Sequence, residues 1–419
     1  MTIRTLHHNR RRMHPRRRIF LACLLTGALL AAGTAGARSS SPSPLTPKLA
    51  RALAVSGLGG TRKAAVAIDL ETGEVLFKQQ RYVGLEPASN EKLPVTFAAL
   101  HALGGTFRIP TDVLGDGGQV GKVWHGNLVL RGRGDPTLSS HDLKHLAWLV
   151  RGTGIRRVTG SIVGDESYFD AKRGVWGWKS YFYGGESPAL SALTVDRCIY
   201  KGQLSNRPAL ASAALFRSAL IGAGVKVSGK SRQGVAPAAS VPIAHVTSPP
   251  LWRILRYMDS WSDNFTAELV LKQLGAQQGH GTSAGGAAVV RKVLTEAGVP
   301  MAGVRIVDGS GLSSKDRLTV AALVGILQSA WSDGSLRKPF QAALAVAGKT
   351  GTLRNRLLGG STRGRVLAKT GTTDDASALT GYVKGRYAFA ILHNGFPLAS
   401  WYAKEAEDRF VQVLAAAAK

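Results

Sequence analysis

Cysteine is nearly absent. Cys23 and Cys198 are the two in 419 residues, which excludes a disulfide-dense scaffold and a metal centre built from thiolates. Acidic residues are scarce as well. There are 26 of them against 54 lysines and arginines, so the formal net charge is +28 and favours an anionic partner without naming one. The chain contains no H-E-x-x-H, no phosphate-binding P-loop, and no cluster of lysines and aromatics of the kind that binds nucleic acid. His101, His141 and His145 have no acidic partners at metal-ligand spacing, so no metal or cofactor is implied. Its apolar runs are too short and too poorly flanked for a stable membrane span. What is abundant is glycine, 50 residues of it, which points to many turns and close backbone approaches. With 44% hydrophobic residues, the chain can bury two or three domains.

Residues 1–37 read as a signal peptide. Seven arginines from Arg4 to Arg18 precede an apolar run from Ile19 to Ala32, and Ala35-Gly36-Ala37 forms an A-x-A cleavage site. Arg17-Arg18-Ile19-Phe20-Leu21 fits a twin-arginine export pattern as well as an ordinary basic leader. Cleavage takes seven positive charges and Cys23, leaving +21 and Cys198 alone. The reading is an exported protein, periplasmic and associated with the anionic cell wall.

The mature chain divides by texture. Ser39 to Pro47 reads as a flexible leader, and Ala64–Leu70 with Val75–Phe77 as a hairpin. From Ser89 the pattern turns helical, with Leu93, Phe97 and Leu100 on one face. Residues 108–246 look like an insertion of short β-rich runs with glycine turns, which sets them apart from a main domain of 38–107 plus 247–419. Helical periodicity returns over Trp252–Leu274, Ala287–Leu294 and Val320–Ala330. Strand patterns follow at Val366–Ala368, Tyr382–Val383 and Tyr387–Leu392. A final helix near Ala399–Ala417 puts Ala403, Ala406, Phe410, Val413 and Ala417 on one face. Its mixed polar face fits core packing better than a membrane-surface anchor.

Three short motifs recur in a meaningful order. Ser89-Asn90-Glu91-Lys92 is S-x-x-K, Ser262-Asp263-Asn264 is S-D-N, and Lys369-Thr370-Gly371-Thr372 is K-T-G-T. Each alone is a common pattern; together they form the set of active-site serine enzymes that react with penicillins. Ser89 and Lys92 share a helix face, so the amine can take the proton that makes a hydroxyl nucleophilic, provided it is neutral. Lys369 is a cation placed to depress it. Ser262 can relay a proton to a leaving amine, and Asn264 can hold a substrate carbonyl and order Lys92. Lys369 and Thr370 suit a terminal carboxylate, and Gly371 admits substrate to the backbone. The N–H groups of Ser89 and Thr372 can bind an oxyanion.

Rival signals are weaker. Lys349-Thr350-Gly351-Thr352 repeats the tetrapeptide 20 residues earlier, without the hairpin that follows Lys369. Ser335–Lys338 is a second S-x-x-K in the wrong order. Gly281–Gly285 spells G-x-S-x-G with no buried strand before it, and Arg133-Gly134-Asp135 reads as a turn. Two departures stand within the nucleophile motif. Pro94 predicts a kink in the first turns by removing the bond to the Asn90 carbonyl, and Glu91 adds a carboxylate beside the site.

With these motifs, Gly134–Leu138, Asp308–Ser313 and Ala347–Leu353, nearly all of the mature chain resembles the D-alanyl-D-alanine carboxypeptidase/endopeptidases, the class C low-molecular-mass penicillin-binding proteins. The 173-residue separation of Ser89 and Ser262 is similar to the large insertion that family carries there. The resemblance implies an α/β sandwich of the penicilloyl-serine-transferase or β-lactamase-like kind. It also implies peptidoglycan stem peptides and crosslinks as substrates and β-lactams as covalent inhibitors. The alternatives are a β-lactamase of the same fold, for which no deacylation base is evident, and a non-catalytic peptidoglycan-binding protein, which has no need of Lys92.

Overall fold

The computed structural model describes residues 43–418; residues 1–37, expected to be a signal peptide with its cleavage site, lie outside the described residues. The organising element is a six-stranded antiparallel sheet. Its strands run in the order Ala345–Val346, Val366–Thr372, Ala376–Val383, Tyr387–Asn394, Arg62–Asp69 and Val75–Gln79. Both faces are covered. Ala64, Val66 and Ile68 point into a core with Phe97, Leu100, Leu323 and Leu327, whereas Ala65 and Ala67 alternate into a second core with Leu49, Leu53, Phe410 and Leu414. Burial on both faces is why Arg62–Asp69 reads as a nearly continuous apolar run instead of an alternating one.

The terminal helices Thr46–Leu53 and Ser400–Ala417 make up one outer layer. Ala403, Ala406 and Phe410 are buried there, while Val413 and Ala417 are half-buried at its edge, so the final helix packs on the core. The expected flexible leader ends early, because Thr46 already starts a helix with Pro47 in its first turn, where proline is tolerated.

On the other face, the periodicity of Trp252–Leu274 resolves into two helices, Leu251–Trp261 and Asn264–Ala276. Ser262 separates them in a left-handed conformation (φ 61°), which a hydrophobic pattern cannot register. Asp263 then caps the second helix by accepting from the Thr266 amide at 2.8 Å, and Arg197 grips the same carboxylate at 2.9 and 3.1 Å. Burial works against that charge, but the Arg197 guanidinium and the Thr266 bonds hold Asp263 below the usual carboxylate range.

The stretch expected to be an insertion carries most of a seven-stranded sheet around the hairpin Pro110–Val120/Val123–Arg131. It also carries two helices that its β-rich texture hides, Ser140–Gly152 and Pro208–Gly222. The second is apolar on nearly every side, so it shows no stripe to betray its period. Leu143, Leu146, Phe216 and Leu220 from these helices pack with Val113, Leu128 and Leu130 of the sheet.

Candidate active site

Ser89 sits in a 3-10 turn, Ala88–Glu91, and Lys92 begins the helix that follows. The expected kink at Pro94 is therefore absent. Pro94 falls in the first turn of Lys92–Leu103, where its missing N–H has no helical acceptor to lose. Ala88, just before the serine, adopts φ 47°, an uncommon backbone for a residue with a Cβ. Gly311 fits against this turn because a Cβ there would lie 1.8 Å from the Ala88 carbonyl oxygen. Asn90 ties the turn to the sheet by donating from Nδ2 to the Lys369 carbonyl at 3.2 Å.

Lys92 is wholly buried and makes three contacts. Its Nζ lies 3.1 Å from Ser89 Oγ, 2.8 Å from Asn264 Oδ1 and 2.7 Å from the Ser310 carbonyl oxygen. The Asn264 amide is oriented by its own Nδ2, which donates to the Glu186 carboxylate and carbonyl at 3.0 and 3.3 Å. A neutral amine has two N–H groups and one lone pair. The two carbonyl-type oxygens consume the donors, so the lone pair faces the one partner that can donate, the Ser89 hydroxyl. Burial lowers the Lys92 pKa to about 8, although the surrounding carboxylates of Asp308, Glu268, Asp259 and Asp263 oppose the fall.

The third motif lies on the strand Val366–Thr372. Lys369 is also wholly buried and donates to Ser262 Oγ at 2.9 Å and to the Thr370 carbonyl at 2.8 Å. Burial, then the charge of Lys92, drives its pKa well down, and Asp259 partly offsets both. Gly371 leaves room for the Ser89 turn. A Cβ there would stand 2.9 Å from the Pro87 carbonyl oxygen and 3.1 Å from the Ser89 nitrogen. Ser89, Ser262, Asn264, Thr370 and Thr372 line one cleft of 930 Å³. Lys349 of the other K-T-G-T lies exposed outside that cleft, and Ser335 bonds to Asp333 in a separate helix. Ser283 of the G-x-S-x-G opens a helix capped by Thr282, and Asp135 is buried in a turn bonded to Thr137.

Several residues of the site lie outside the three motifs. Thr352 of the second K-T-G-T lines the cleft, with its Oγ1 2.8 Å from that of Thr370. Residues 179–186 supply one wall: besides Glu186, Lys179 Nζ and Tyr181 OH reach Asp374 Oδ2 at 2.9 and 3.2 Å. Asp259, wholly buried, accepts from Thr96 Oγ1 at 2.7 Å. Burial raises it to about 7, against the pull of Lys369 and Lys92. Glu91 turns inward, away from the cleft. It is wholly buried beside Asp308 and Glu268, and burial lifts its pKa well above the ordinary value.

A serine hydroxyl held against a buried amine, on a helix packed under an antiparallel sheet, defines an active-site serine enzyme that works through an acyl intermediate. The chain belongs to the D-Ala-D-Ala carboxypeptidase 3 (S13) family, whose model matches residues 45–209 and 201–417. It is 32% identical over 426 residues to the D-alanyl-D-alanine carboxypeptidase of Actinomadura sp. (strain R39), covering 81% of this chain and 78% of that one. It is 33% identical over 390 residues to carboxypeptidase DacB of Mycolicibacterium smegmatis, covering 85% and 82%. Its fold is similar to that of penicillin binding protein 4 from Haemophilus influenzae, with a TM-score of 0.79, 20% identity, and 88% and 98% of the two chains covered.

Proposed function

We propose that the protein is a serine-type D-Ala-D-Ala carboxypeptidase and endopeptidase of peptidoglycan, with Ser89 as nucleophile. The observation that carries this reading is the Lys92 amine, 3.1 Å from Ser89 Oγ with its other two contacts spent on carbonyl-type oxygens. Ser89 Oγ attacks the carbonyl carbon of the penultimate D-Ala, and its proton passes to Lys92. The oxyanion rests on the N–H groups of Ser89 and Thr372. Lys369 and Thr370 hold the terminal carboxylate, whose charge restores the protonated state that burial disfavours in Lys369. Asn264 holds the substrate amide. As the C–N bond breaks, Ser262 delivers the proton to the leaving amine. Water, deprotonated by Lys92, then cleaves the ester and regenerates Ser89.

A leaving D-Ala makes the reaction a carboxypeptidase step, and a leaving side-chain amine of a crosslink makes it an endopeptidase step. β-Lactams present the same carbonyl and carboxylate but retain their leaving group, so they trap Ser89. The basic leader and the A-x-A site support an exported, periplasmic, wall-associated protein. Residues 108–246 are taken as the inserted region, standing beside a peptidase domain of 38–107 plus 247–419. The test is release of D-Ala from a stem peptide ending in D-Ala-D-Ala and of monomers from crosslinked muropeptides. Both are expected with the native enzyme and neither with Ser89→Ala. Native protein that leaves both substrates intact overturns the reading.

A further inference from the structure

A second concavity runs alongside the cleft. It has a volume of 1080 Å³ and lies between the helix Leu251–Trp261, the end of the helix Gly334–Ala343 and the segment Leu344–Arg354. Five cations line it: Arg253 and Arg256 from the first helix, Lys338 from the second, and Lys349 and Arg354 from the segment. All five are exposed, and among the described residues no aspartate or glutamate lines the groove. A concave surface of one charge sign focuses the field on whatever enters it.

Three aromatics share the same walls. Tyr257 and Trp261 are 50% and 55% exposed, and Trp252 is half-buried beneath the Arg253 guanidinium, which stands 5.2 Å from its ring. The helix spends Ile254, Leu255 and Met258 on the core, so these rings belong to its outward face. Exposed aromatics interleaved with unpaired-side cations offer flat apolar surfaces and anion contacts together, which suits sugar rings that carry carboxylates.

The groove and the cleft are neighbours through the backbone. Trp261 lines the groove, and the next residue, Ser262, lines the cleft. Gly351 lines the groove, and Thr352 lines the cleft. Gly351 packs closely here: a Cβ would lie 2.1 Å from the Ser260 carbonyl oxygen. A polymer whose stem peptide occupies the cleft therefore has a cationic, aromatic channel beside it for the rest of the chain.

We infer that this groove binds the glycan strand of peptidoglycan, with its free stem-peptide carboxylates, while a stem of the same polymer reacts at Ser89. The inference rests on the peptidase reading. It assigns the second K-T-G-T a divided part, in which Lys349 serves the groove and Thr352 the cleft.

The test uses the full mature chain and purified insoluble peptidoglycan. Arg253→Glu, Arg256→Glu and Lys338→Glu are combined in one variant; Tyr257→Ala, a separate variant, removes an aromatic without altering charge. The charge reversal is expected to lower sedimentation with peptidoglycan about tenfold. Salt is expected to weaken native binding toward the variant's level. D-Ala release from the insoluble polymer falls in both variants, whereas penicillin acylation and D-Ala release from a soluble stem peptide stay at native rates. Those soluble rates also show that the variants fold. Native-like sedimentation of both variants overturns the inference. So does tighter binding of polyphosphate or of anionic lipid vesicles than of peptidoglycan through the same residues. If the native protein neither forms a penicilloyl adduct nor releases D-Ala yet still sediments through these cations, the peptidase reading fails and the groove stands.

Discussion

The hydroxyls of Thr352 and Thr370 lie 2.8 Å apart across the cleft, although the two residues belong to different copies of the same tetrapeptide. In the proposed mechanism Thr370 meets the substrate carboxylate, and Thr352 fixes the direction of its hydroxyl. Thr352→Val is expected to reduce kcat/KM for a D-Ala-D-Ala peptide about fivefold, the effect of one neutral hydrogen bond, mainly through KM. Steady-state kinetics on the purified variant check this. Lys349→Gln is expected to leave the same soluble-peptide kinetics unchanged.

Lys92 must be neutral to accept the Ser89 proton, and its pKa is lowered to about 8. The neutral fraction rises as pH rises through that value. Acylation by a penicillin is expected to increase about tenfold from pH 6 to 7 and to level off above about 8. Stopped-flow acylation rates across this range check it. Lys92→Met is expected to abolish the pH dependence along with the rate.

Asp259 lies beneath both lysines and raises the pKa of each. Asp259→Asn keeps an acceptor for Thr96 but removes the charge. Lys92 then loses its proton at lower pH, so the acylation profile shifts to the acid side. Lys369 also loses a counter-charge, so KM for the carboxylate-bearing peptide rises. A variant that only loosened packing would lower the rate without moving the profile.

Gly371→Ala places a Cβ 2.9 Å from the Pro87 carbonyl oxygen and 3.1 Å from the Ser89 nitrogen. The nucleophile turn has to give way. Displacement of the serine is expected to cost about a hundredfold in acylation rate. The fold, carried by the two cores on either side of the sheet, persists. Thermal unfolding measured beside acylation separates the two effects.

Ser89, Lys92, Ser262, Asn264 and Lys369 were legible in the sequence because each sits in a short contiguous motif whose chemistry can be named. Glu186, Asp259 and Lys179 were not. Glu186 and Lys179 reach the cleft from residues 108–246, and Asp259 lies buried beneath the lysines from one turn upstream of S-D-N, through contacts that only the tertiary fold creates. The helix Pro208–Gly222 went unseen because it is apolar nearly all round. The break at Ser262 went unseen because a left-handed backbone leaves no trace in hydrophobic periodicity. The Pro94 kink, by contrast, was a local rule applied with the wrong helix start. Once the 3-10 turn is placed first, the same rule permits the proline.

Ser89 as nucleophile is tested most directly by the intact mass of residues 38–419 after incubation with a penicillin. The predicted result is a persistent gain of one penicilloyl group, absent in Ser89→Ala. Intact protein beside intact drug would contradict the acyl-enzyme mechanism, and intact protein beside hydrolysed drug would make the enzyme a β-lactamase.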